Sequence, residues 1–270
     1  MFTQTDPMPG GPGSSFESAY AYAGNNPAVY VDPSGLRKAN TAGEKLVKKN
    51  CKFIKDACRR AGVKPELVAK ILMEENNFSS LAGAGSSALE ENEYMFPGRN
   101  DPRIGVANLH HRDLQGVVAK FGYQNTASFL GNDLHRVVKA ADWDLAVSDA
   151  QYLQINTDAV SDASQHNDRL NIGILILRMR ANRLLFQSTG RGAGSPIGED
   201  DAMILARKIG HDAAGYLYSG NFGGYNDWVD GYARPNMPGS ERFVAGPGAR
   251  PSWLDRYDKY NPTPWLSCGG

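Results

Sequence analysis

One stretch constrains the fold of this chain more than any other. Between Arg169 and Phe186 the residues Leu170, Ile172, Ile174, Leu175, Ile176, Leu177 and Met179 fall within ten positions. A helix built from them is apolar nearly all round, and such a helix has to be enclosed by other elements rather than laid on a surface. A strand of a parallel sheet is the rival reading for its middle. The flanking pattern favours the helix, because helical periodicity runs from about Asn40 onward. It gives helices over Glu44 to Arg60, Pro65 to Phe78, Leu109 to Phe121, Ala127 to Val138, Asp144 to Gln154 and Asp200 to Tyr218. Pro65 suits a first helical turn, where its missing N–H is not needed. Residues 79 to 104 are rich in Ser, Gly, Asn and Pro and read as a long loop, and from Ser219 onward Gly, Pro, Asn and aromatics give a loop-rich tail. The expected class is mainly α.

The 270 residues carry 29 basic and 29 acidic side chains, so no global field draws the chain to nucleic acid or to an anionic membrane. No apolar run reaches the roughly 18 to 20 residues of a membrane span, and no basic start followed by an apolar stretch marks a signal peptide. The cysteines are Cys51, Cys58 and Cys268. Their odd number and spacing argue against a zinc site or a disulfide framework. On one helix, Cys51 and Cys58 stand roughly 10 Å apart, too far to bridge. All three are expected to be plain buried thiols.

Residues 1–36 differ in texture from the rest. They hold Gly10-Gly11-Pro12-Gly13, a Tyr20-Ala21-Tyr22 alternation, Asn25-Asn26-Pro27 and Asp32-Pro33-Ser34-Gly35, which is turn chemistry around short extended pieces. Three separated motifs, Phe2-Thr3-Gln4-Thr5-Asp6-Pro7, Ala19 through Pro27, and Tyr30 through Leu36, resemble in content and order the end of the Rhs-repeat core of bacterial polymorphic toxins. In that family a β shell encloses a variable toxin, and two aspartates free it after an Asp-Pro-x-Gly-Leu motif. The resemblance implies autoproteolysis by Asp6 and Asp32 after Leu36 inside an intact Rhs shell, which leaves residues 37–270 as an effector. Asp-Pro and Pro-Ser-Gly also serve as ordinary turns.

The effector region offers one carboxyl in an unusual setting. At 100° per residue, Leu67, Val68, Ile71, Leu72 and Phe78 form an apolar stripe with Glu75 in its middle and Glu74 at its edge. A carboxyl among apolar side chains resists ionisation and can protonate a leaving oxygen, as glycoside cleavage requires. A glutamate at a helix end turned to solvent is the plainer alternative. Glu75-Asn76-Asn77-Phe78 followed by Ile104-Gly105-Val106-Ala107-Asn108-Leu109 resembles the motifs of soluble lytic transglycosylases and goose-type lysozymes. In these the glutamate of a Glu-Ser-x-Phe-like motif is the acid, and a Gly-x-x-Gln or Gly-x-x-Asn segment lines the sugar cleft. Asn76 takes the place of the serine. Asn171-Ile172 resembles the start of the buried helix of that fold, and Tyr218 to Tyr225 its Tyr-Asn-x-Gly segment.

The resemblance implies a lysozyme-like domain over residues 37–270, with Glu75 as catalytic acid and Gly105, Asn108 and Tyr218 binding the substrate. It implies cleavage of the β-1,4 glycan linkage of peptidoglycan without cofactor or metal. It also implies secretion or delivery to the envelope of a target bacterium, and a cognate immunity protein as partner. Hydrolysis and transglycosylation both remain open, as do peptidoglycan and chitin; Asp101 and Asp113 are the candidates for a second carboxylate. Two other readings compete. His110-His111-Arg112-Asp113 invites a metal-dependent nuclease, although neighbouring helical residues point about 100° apart and do not readily share one metal. The aromatics Tyr225, Trp228, Tyr232, Trp253, Tyr257, Tyr260 and Trp265 could stack on sugars in a non-catalytic glycan-binding module, or pack over the domain.

Overall fold

The computed structural model describes residues 41–81, 105–135, 160–161, 163–234, 241–246 and 248–268. The leader with Asp6 and Asp32, the stretch 82–104 with Asp101, and the expected helix over Asp144 to Gln154 lie outside the described residues. The described part is mainly helical, with no strand. The order is α1 (Ala42–Ala61), α2 (Pro65–Leu81), α3 (His111–Phe121), α4 (Tyr123–Leu130), α5 (Asn132–His135), α6 (Asp168–Thr189), α7 (Glu199–Ile209) and α8 (His211–Ser219). Then follow α9 (Phe222–Trp228), a π turn (Val229–Ala233), a 3-10 turn (Ser252–Leu254), α10 (Asp255–Asp258) and α11 (Thr263–Leu266).

The apolar stretch forms α6, the central element. Leu170, Ile172, Ile174, Leu175, Ile176, Leu177 and Met179 are all buried, and α1, α3, α4, α7 and α8 pack around them. Asn167 starts α6 by accepting the Leu170 N–H on its side chain at 3.1 Å. α1 begins with a reciprocal cap, in which the Glu44 N–H donates to Thr41 Oγ1 and the Thr41 N–H to Glu44 Oε2. α1 and α2 pack on each other across the turn at Gly62, and α2 carries the candidate acid.

Three expectations about the elements are corrected. The helix expected over Asp200 to Tyr218 is two helices, because Gly210 at φ 88° takes a conformation that breaks the ladder between α7 and α8. The helix expected from Ala127 begins earlier, at Tyr123, and is interrupted at Gly131 before α5. The tail, expected as loop, contains α9 and a strap of short helical turns over residues 251–268. Four-residue helices have no stability of their own. They form here because Leu254, Tyr257 and Leu266 are buried against α1, α2 and α7.

The cysteine expectation is also corrected. Cys51 in α1 is bonded to Cys268, with their Cα atoms 5.6 Å apart and 217 positions between them in sequence. Local spacing carries no trace of this pair, since the packing of α11 on α1 creates it. On a chain-entropy estimate, closing a loop of that length is worth about 5 kcal/mol. Cys58 is a buried free thiol, and burial, with a smaller contribution from Glu66, pushes it up to about 12. Among the described residues no helix is long and apolar enough to cross a membrane.

Candidate active site

The end of α2 meets a short turn, Gly105–Leu109, that three other elements hold in place. Its backbone is unusual twice over, since Gly105 has φ 68° and Asn108, a non-glycine, has φ 50°. Asparagine tolerates that left-handed region better than most residues, yet the surroundings must still fix it there. From α2, Asn76 Nδ2 donates to the Val106 carbonyl and to Leu72 within its own helix, both at 2.7 Å. From α6, the fully buried Asn171 accepts the Ala107 N–H at 2.7 Å and donates to Ser164 Oγ at 3.0 Å. From α7, buried Arg207 donates through Nη2 to the carbonyls of Ala107, at 2.9 Å, and Asn108.

The turn presents Asn108 to the helix end. Asn108 Nδ2 donates to Glu75 Oε2 at 2.7 Å, so two residues 33 apart in sequence meet. An N–H donor on one carboxyl oxygen restricts the orientation of the group. Glu75 is half-buried, and α10, which carries the buried Tyr257, packs on α2. Burial raises the Tyr257 phenol above its ordinary value, and the Glu75 carboxylate adds to that shift.

The assignment of the two glutamates to the stripe is corrected. Glu74, expected at the edge and facing water, is 4% exposed, whereas Glu75, expected at the centre, is the more accessible of the two. The apolar surface of α2 is wider than the stripe, since Ala69 and Met73 are buried as well, and the strap covers the Glu74 side. Glu74 accepts from Arg256 Nε at 2.8 Å and Tyr260 Oη at 2.9 Å and pairs with Lys259 Nζ at 3.1 Å.

Gly105 lies beside Asn108, and its role is steric. A Cβ there would stand 2.5 Å from Asn171 Nδ2. Gly105→Ala therefore has to displace the amide that holds the Ala107 N–H, and must also keep a positive φ. We expect a loss of about 2–4 kcal/mol, seen as a midpoint lowered by about 5–15 °C in thermal unfolding followed by circular dichroism. An unchanged midpoint would show that the turn relaxes freely.

Tyr218 is placed elsewhere. It is buried with its ring 5.2 Å from Phe186 of α6, and its carbonyl accepts from Gly192. Its ring packs at the C-terminal part of α6, whereas Asn171, which holds the Gly105–Leu109 turn, lies near the start of that helix. Asp113 is committed structurally. It accepts the His110 N–H at the start of α3 at 2.9 Å and faces Arg178 at 3.4 Å. Burial works against its charge, but Arg207, Arg178 and His110 outweigh it and hold the carboxyl below its usual 3.8. Its stabilising contribution is therefore complete above the ordinary carboxylate range and is lost as pH falls through the lowered value.

Among the described residues no group of three or more His, Cys, Asp and Glu side chains converges as a metal site would require. The tail aromatics pack on the domain. Trp228, Trp253, Tyr260 and Trp265 lie half-buried against the core, and Tyr225, Trp228 and Tyr232 form a ladder with ring separations of 5.7 and 6.0 Å. Tyr257 was legible only as one of the tail aromatics and Arg207 not at all as a residue of this site, although Arg207 carries a signal. It is the one charged residue among the buried residues of α7, with Met203 and Ile204 one turn before it. No protein-family model matches the chain, and no similar curated protein or solved structure is found.

Proposed function

We propose that the chain is a glycosidase toxin that cleaves the β-1,4 glycan linkage of peptidoglycan with Glu75 as general acid. The observation that carries this reading is the 2.7 Å contact from Asn108 Nδ2 to Glu75 Oε2, which joins the two motifs on which the lysozyme-like resemblance rests. General acid catalysis needs a carboxyl held in one orientation and within reach of the leaving oxygen. Asn108 supplies the orientation, and half-burial of Glu75 leaves the carboxyl reachable. The Rhs-like leader supports delivery as an effector into the envelope of a target bacterium, with an immunity protein protecting the producer.

Digestion of purified peptidoglycan followed by mass spectrometry of the products tests the reading. Soluble muropeptides are expected, and their ends identify the second step. A reducing end means that water completes the reaction, and an anhydro end that the sugar's own 6-hydroxyl does. An enzyme of this kind should be lethal only when an export signal carries it to the wall. Equal toxicity from the cytoplasm, with loss of DNA and no muropeptides, would replace the glycosidase by a nuclease.

A further inference from the structure

We propose that the Cys51–Cys268 disulfide is a redox switch on the Glu75 site, keeping the chain inactive in a reducing cytoplasm and completing the site in an oxidising compartment. The inference rests on the reading of Glu75 as the acid of a glycosidase and adds to it the way in which that site is regulated.

The argument starts from what the disulfide fastens. Cys268 follows α11 directly, and Cys51 lies in the middle of α1, so the bond pins the far end of the strap over residues 251–268 to the body of the domain. The strap in turn covers the end of α2. Arg256, Lys259 and Tyr260 hold Glu74, and α10, whose Tyr257 is 1% exposed, packs on α2. The same end of α2 carries Asn76, which grips the Val106 carbonyl, and Glu75, which receives the Asn108 amide. A continuous set of contacts thus runs from the disulfide through the strap to the carboxyl and its turn.

The strap holds on weakly without the covalent bond. Its helices are three- and four-residue turns, and its large buried side chains are few, with Leu254, Tyr257 and Leu266 the main ones. Segments of this kind are the first to open in a folded domain. Access to the bond is one-sided, because Cys51 is 3% exposed whereas Cys268 is exposed. A thiolate from solvent therefore attacks the Cys268 sulfur.

The chemistry is a balanced exchange. In the oxidising compartment a protein disulfide accepts two electrons and two protons and becomes a dithiol, while the Cys51 and Cys268 thiols lose them and form the S–S bond. In the cytoplasm a dithiol reductant reverses this, breaking the Cys51–Cys268 bond and leaving both residues as thiols. A toxin synthesised in a reducing compartment and acting in an oxidising one would be switched on by delivery itself.

Hydrogen exchange and peptidoglycan cleavage, measured on oxidised protein, on protein treated with a phosphine reductant and on Cys268→Ser, test the proposal. Replacing exposed Cys268 removes the bond with little change in packing. Reduced protein and Cys268→Ser should exchange at least tenfold faster in both the strap and the Gly105–Leu109 turn, while α6 amides stay protected. Cleavage should fall at least tenfold in both, and reoxidation should restore the parent but not the variant. Loosening of the strap with the turn unchanged would overturn the proposal and leave the bond as a simple staple. Loss of α6 protection along with the rest would overturn it in favour of global destabilisation. An oxidised parent that cleaves no peptidoglycan would remove the glycosidase reading, whereas the exchange data would still decide whether strap and turn are coupled.

Discussion

Glu75→Gln is expected to leave the melting curve in place and to lower peptidoglycan cleavage by about 10² to 10⁴-fold, the usual contribution of a positioned acid. The glutamine has the same volume, and its carbonyl oxygen can accept the Asn108 Nδ2 donor as Oε2 does now. Glu75 is half-buried, and the substitution keeps the side-chain shape while removing the transferable proton. A companion variant isolates the orienting contact. Asn108 sits at φ 50°, a region glycine enters freely, so Asn108→Gly deletes the donor without adding backbone strain, unlike Asn108→Ala. The loss of one hydrogen bond to a charged group corresponds to about 1.5–3 kcal/mol, or roughly ten- to hundredfold in rate. Initial rates of muropeptide release, compared at matched folded fraction, check both variants. A Glu75→Gln protein that cleaves at the parent rate with a normal melting curve would remove this carboxyl from the mechanism.

How far the sequence reveals such a site depends on how local the interactions are. The burial of α6 was legible because seven apolar residues in ten positions leave a helix no solvent face. Gly105 and Asn108 are named with Glu75 only through the resemblance of two short motifs, which does not state the contact between Asn108 and Glu75. The grip on the Gly105–Leu109 turn was not legible. Asn171 and Arg207 act 64 and about 100 positions away in sequence, on helices whose mutual packing no periodicity states. The same reason explains the disulfide, which joins residues 217 apart, and the strap, whose short turns exist only because α1, α2 and α7 receive their buried side chains. Gly210 carried a local signal, a glycine within a helical pattern, but the pattern around it was continuous enough to mask the break.

Glu74 shows what that non-locality changes, and Glu74→Gln is expected to act mainly on stability. A helical wheel places Glu74 at the edge of an apolar stripe, where an amide would cost nothing. Instead, the strap brings Arg256 and Tyr260 to it from 182 and 186 positions away, with Lys259 between them, and closes over the carboxylate. Each oxygen of the carboxylate faces a donor, Oε1 toward Arg256 and Oε2 toward Tyr260 and Lys259. A glutamine has one acceptor and one donor, so whichever way it turns its NH₂ faces donors that the charge used to satisfy. Breaking a fully buried ion pair costs about 3–5 kcal/mol. Arg256 and Lys259 keep 33% and 57% of their side chains exposed and regain water, so about 2–4 kcal/mol is expected here. Thermal unfolding should shift down by about 5–15 °C, while cleavage at a temperature well below the new midpoint should fall far less than in Glu75→Gln. Neighbouring substitutions would then separate stability from chemistry. A double-mutant cycle of Glu74→Ala with Arg256→Ala should show coupling of about 1–3 kcal/mol, because removing the second partner finds the interaction already lost. In Cys268→Ser the penalty of Glu74→Gln should shrink, since a strap that is already loose has less of its grip on Glu74 to lose. A Glu74→Gln melting curve that overlays the parent would show that the three donors contribute nothing net, and that apolar burial of Leu254, Tyr257 and Leu266 alone seats the strap.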